Sequence, residues 1–148
     1  CAGLVHLNRV GDDTSGISWS RTKKMGVNTL AFRLPQDGAF YRADADCVGI
    51  KPNAIAWEKN KIWMQLLADS GTPAFLSIEP AALKSENEGD NVEPKKIASC
   101  QCNKVQPLDW MENCYPEVLL KNGSETCCYN WMDEWGEGRF APGEEMLV

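Results

Sequence analysis

Several things are scarce or missing in this sequence, and each lack removes a class of function. There is no excess of positive charge. Lys and Arg total 15 against 21 Asp and Glu, a net charge of −6, which argues against a partner gripped by its phosphate backbone, so no nucleic acid is expected. No stretch approaches the about 18 consecutive apolar residues that span a bilayer, so no membrane partner is expected either. The single histidine, His6, sits in a strand-like segment, where it reads as a packed or partly exposed side chain rather than a catalyst. No internal repeat is visible. The chain opens at Cys1 with no charged segment and apolar stretch ahead of it, and reads as a processed chain or a piece of a longer product.

Cysteine is plentiful by contrast, but its arrangement is uninformative. Five of the seven (Cys100, Cys102, Cys114, Cys127 and Cys128) lie in the last third. An odd number cannot all pair within one chain, and none of the spacings forms the paired Cys-x-x-Cys knuckles of a zinc site. Buried or surface thiols are the first reading, disulfides the second and a metal site the third; the compartment stays open. With 43% hydrophobic residues over 148 positions, the chain can bury a real core.

The first half reads as alternating strands and helices. Leu4 to Arg9 forms a short strand ending in the polar loop 11–16. Val27, Leu30, Ala31 and Leu34 recur at helical spacing between Trp19 and Leu34, interrupted by Gly26 and stopped by Pro35. Phe40 to Val48 is a second strand, placing Asp44 and Asp46 on one side of a pleated chain. Trp57 to Ser70 is the clearest helix, with Ile62, Trp63, Leu66 and Leu67 in one apolar stripe and Gly71 as its stop. Ala74 to Ile78 is a third strand, of the continuously apolar kind found in parallel sheets. Residues 84–96 are polar and aperiodic, a linker or solvated loop. Beyond them Asn122-Gly123 between two apolar runs predicts a β-hairpin, and turn chemistry accounts for Asn122-Gly123-Ser124 better than glycosylation does. The segment from Trp131 onward holds no clear element.

Two constellations carry chemistry. Arg9 and Asp13 stand four apart where a strand enters a loop, and Asp44 and Asp46 stand at the end of the next strand. Singly, each has an ordinary explanation: a surface ion pair for the first, solvated or capping carboxylates for the second. Jointly they matter more, because consecutive parallel strands bring their C-terminal ends to one face, where α/β folds build sites.

Arg9-Val10-Gly11-Asp12-Asp13, Trp19, the segment Phe40 to Val48, Ser70 to Ser77 and Leu108-Asp109-Trp110 together resemble the C-terminal part of the melibiase-like glycoside hydrolases, the α-galactosidase clan of retaining enzymes. The resemblance implies an α/β fold: a partial (β/α)8 barrel, its last βα units, followed by the start of an antiparallel β-sandwich. It divides the chain into residues 1–83 as barrel, 84–96 as acidic linker and 97–148 as a β-rich segment. It implies that Asp13 is the general acid/base and that Arg9 contacts the sugar, with a one-residue slip promoting Asp12 instead. Asp44 and Asp46 match an Asp-Pro-Asp element that shapes the site, Ala45 standing where the family has proline. The family's nucleophile aspartate has no counterpart, so the chain alone is expected to be silent. No metal or organic cofactor is implied. The implied partner is a carbohydrate substrate, with self-association through the incomplete barrel. The alternative is a non-catalytic carbohydrate-binding or structural module in which Trp110, Trp131 or Trp135 stacks on sugars.

Overall fold

The computed structural model describes residues 2–14, 16–52, 54–82 and 104–131, and the backbone of 146–147. Strand β1 (Leu7–Arg9) enters the loop that leads to a helical segment made of α1 (Trp19–Thr22), a π-helical stretch (Lys23–Asn28) and α2 (Thr29–Arg33). The Ser18 side chain caps its start by accepting the Arg21 N–H at 3.3 Å. The widened stretch falls on Gly26, the residue that interrupts the sequence pattern. A Cβ at Gly26 would lie 2.8 Å from the Trp63 ring, so the missing side chain is what lets the indole pack there.

Strands β2 (Arg42–Asp44) and β3 (Cys47–Ile50) follow, then α3 (Trp57–Ser70) and β4 (Phe75–Ile78). In α3 the residues Ile62, Trp63, Met64, Leu66 and Leu67 are buried. The larger of these side chains each contribute about 1.5–3 kcal/mol by leaving water. Gly71 closes the helix in the left-handed conformation, φ 67°. The core joins this helix to Val27, Leu30, Val48, Leu119, Tyr129 and Trp131.

The expected partial barrel and sandwich are not what forms. β1 pairs in parallel with β2, and β3 in parallel with β4, but these are two separate two-stranded sheets. The cause is a break in the segment read as one strand from Phe40 to Val48. Asp46 takes φ 75°, outside any strand conformation, and its N–H turns back to Asp44 Oδ1 at 2.8 Å. The chain therefore pairs with β1 before the break and with β4 after it, and no continuous barrel wall results.

Among the described residues the β-rich part is likewise a single antiparallel sheet, not a pair of packed ones. Its order is β5 (Val105–Pro107), β6 (Val118–Lys121), β7 (Glu125–Cys128) and β8 (Met146–Leu147). The Asn122-Gly123 turn joins β6 to β7 with both residues at positive φ, and Ser124 N–H donates to the Lys121 carbonyl at 3.2 Å. The molecule is a small mixed α/β fold. The linker at 84–96, Cys1, Cys100, Cys102 and Trp135 lie outside the described residues. Among the described residues no helix is long and apolar enough to cross a membrane.

Candidate functional site

Strand β1 ends at Arg9 and strand β2 at Asp44, and the parallel register pairs those two residues directly. The Val10 N–H extends the ladder by one bond, to the Asp44 carbonyl at 2.9 Å. The loop after β1 and the turn after β2 are thereby brought side by side. Gly16 and Gly49 add to this: a Cβ on either would lie 2.5 Å from the other's Cα, so the loop rests backbone-to-backbone on β3.

The four residues singled out from the sequence meet at this rim. Arg9 forms an ion pair with Asp46 and stands 3.9 Å from Asp13. The Asp13 and Asp46 carboxyl groups thus face the same terminal nitrogen of Arg9. Asp44 enters through its carboxylate, which accepts the Asp46 N–H and shapes the turn. The sequence placed Asp44 and Asp46 on one side of a strand; they are in fact the two arms of a tight turn.

The two acids differ in surroundings. Asp13 opens to solvent, its side chain 63% exposed, whereas that of Asp46 is 11% exposed. Burial alone would raise the Asp46 carboxyl. The Thr14 N–H at 2.7 Å, the Cys47 N–H and the Arg9 guanidinium outweigh it, and Asp46 is held below the ordinary carboxylate range. A non-glycine residue at positive φ, ionised and enclosed by donors, is a strained, over-determined position of the kind found at functional sites.

Sequence reasoning missed three contributors. Thr14 donates its backbone N–H to Asp46 Oδ2, and its hydroxyl lies 3.1 Å from the same oxygen and 3.0 Å from the Cys47 carbonyl. Cys47 brings a half-buried thiol against Asp46; burial first, and the Asp46 charge and hydrogen bond after it, push that thiol up. Arg21 reaches back from α1 to the loop, its Nε 2.6 Å from the Asp13 carbonyl and its terminal nitrogen 2.9 Å from Asp12 Oδ2. Thr14 carries no spacing signal, since it acts through fold-dependent contacts some thirty positions away, and Cys47, next to Asp46 in the chain, gains its character only once the fold buries its thiol.

Asp12 is not interchangeable with Asp13. Its Oδ1 accepts the Asp13 N–H at 2.7 Å and its Oδ2 pairs with Arg21. The Asp13 N–H and then the Arg21 charge hold its carboxyl below the ordinary range.

The other sequence candidates fall elsewhere. His6 is exposed, just before β1, and its carbonyl accepts the Arg42 N–H at 2.8 Å. Trp110 is 45% exposed, edge-on to Phe32 at 5.7 Å. Trp131, a candidate for stacking on sugars, is instead buried, stacked on Tyr129 with ring centroids 5.2 Å apart. Among the described residues no group of three or more His, Cys, Asp and Glu side chains is arranged to hold a metal ion.

No family model matches this chain, and no curated protein matches it.

Proposed function

We propose that the rim formed by Arg9, Asp13, Asp44 and Asp46 is the acid/base side of a retaining glycoside hydrolase site of the α-galactosidase type. The observation that carries this reading is the pairing of a solvent-open carboxyl, Asp13, with a guanidinium that a buried and ionised Asp46 holds in place. In such a reaction Asp13 protonates the leaving oxygen of the glycosidic bond as that bond breaks, then takes a proton from the water that releases the sugar. Arg9 has five N–H donors and does not spend them all on two carboxylates, so it can also hold a sugar hydroxyl.

The attacking carboxylate is not one of these four residues or Asp12. Asp46 faces the same Arg9 nitrogen as Asp13 and is already engaged. Its Oδ2 is occupied by Thr14 and Arg9, Asp44 is committed to the turn, and Asp12 to Arg21. The same rim without a nucleophile is a carbohydrate-binding module, which is the second reading.

Two measurements test this. Methyl α-galactoside added to the ¹⁵N-labelled chain is expected to shift the amides of 9–14 and 44–47, and Arg9→Ala is expected to abolish the response. Silence at about 100 mM sugar, roughly a hundredfold above a Kd of about 1 mM, overturns both readings. With azide supplied as external nucleophile, the catalytic reading expects slow conversion of trifluoroethyl α-galactoside that is lost in Asp13→Asn. Sugar binding without that conversion leaves the binding module.

A further inference from the structure

A carboxyl that donates and recovers a proton works only if the peptide carrying it is held still. Asp13 lies in a loop, with its side chain largely in solvent, so little packing restrains it. What restrains it is hydrogen bonding at both ends of its own backbone. Its N–H is bound by Asp12 Oδ1 at 2.7 Å and its carbonyl by Arg21 Nε at 2.6 Å, and Arg21 closes the ring by pairing with Asp12 Oδ2 at 2.9 Å.

We propose that Arg21 is a positioning residue for Asp13: its planar fork grips the Asp13 carbonyl and the Asp12 carboxylate together and so sets the direction of the Asp13 side chain toward Arg9 and Asp46. This deepens the glycosidase reading and rests on it for the meaning of Asp13. A second, independent observation supports it. Arg21 is the third residue of the helical segment that runs through α1, the π-helical stretch and α2, and a cation in the first turn of that segment opposes its dipole. A residue placed against its local preference is expected where another requirement overrides it, and the loop carbonyl and carboxylate supply that requirement. Lysine does not satisfy it, because a point charge cannot bond two acceptors in the fixed geometry of a guanidinium.

The test reads the linkage between Asp13 and Asp46 through the Asp46 titration, followed by carboxyl ¹³C NMR on the full chain. In the native background, Asp13→Ala removes the carboxyl that shares the Arg9 guanidinium with Asp46 and is expected to move the Asp46 titration midpoint. In Arg21→Ala, and equally in Arg21→Lys, the same Asp13→Ala change is expected to produce no shift, because Asp13 is already displaced. Arg21→Lys is expected to keep the Asp12 titration below the ordinary range, which separates loss of the fork from loss of the charge. A native-sized shift in either Arg21 variant overturns the proposal, whether or not sugar binds. Failure of the sugar response in the native chain, with the Asp13–Asp46 linkage intact and dependent on Arg21, overturns the glycosidase reading alone.

Discussion

Thr14 and Asp46 are joined twice: the Thr14 N–H lies 2.7 Å and its hydroxyl 3.1 Å from the same Asp46 oxygen. The pair is buried and links the loop after β1 to the break between β2 and β3. It gives an ionised carboxylate a low-energy place inside the fold, and it explains why the strand breaks where it does.

The first prediction concerns pH. The Asp46 carboxyl is depressed in the folded state, so its contribution to stability is present above the unfolded value, about 3.9, and is lost as pH falls through the lower folded value. Acid unfolding of the native chain should therefore carry a component that Asp46→Asn lacks. Equal acid sensitivity of the two proteins in urea titrations between pH 2 and 6 would count against this account.

A second prediction uses Cys47 as a reporter. Its thiol is raised by burial and by the neighbouring Asp46 charge, so at neutral pH it should alkylate more slowly than the exposed Cys114. Asp46→Asn removes the charge and should speed labelling at Cys47 while leaving Cys114 unchanged. Mass-spectrometric footprinting with iodoacetamide reads both sites in one experiment.

The third prediction concerns the join between helix and sheet. Asp69, buried in α3, pairs with Lys121 of β6 at 2.7 Å and accepts the Tyr129 hydroxyl at 2.6 Å and the Gln65 amide at 3.1 Å. Removing one partner leaves the other charge buried, so Lys121→Met should cost about 3–5 kcal/mol. Replacing Asp69 and Lys121 together by apolar residues should recover part of that loss. Denaturant melts of the two single variants and the double variant decide it.

The fourth prediction concerns the glycine contact beneath the rim. Gly49→Ala places a Cβ 2.5 Å from the Gly16 Cα, where only backbone can give way. Overpacking of this kind costs about 1–3 kcal/mol. The amides of Asp13 and Thr14 should shift as well, since the loop carrying them is lifted. A variant of unchanged stability and unchanged spectrum would show that the contact is slack.

Local chemistry was legible from the sequence by itself. The α3 stripe and its Gly71 stop, the Asn122-Gly123 hairpin and the interruption at Gly26 all follow from periodicity or from residues with special backbone freedom, which act over a few positions. So did the meeting of Arg9 and Asp13, four apart at a strand end. Tertiary structure decided the rest. Whether Phe40 to Val48 is one strand or two depends on Thr14 and Arg9, more than thirty positions away, drawing Asp46 into a left-handed turn. That break makes two small parallel sheets where a barrel wall was expected. It also turns a pair of strand carboxylates into one that shapes and one that anchors. The division between Asp12 and Asp13 was decided the same way, by an arginine on the following helix, because a carboxylate's role is set by the donors that reach it and not by its place in the chain.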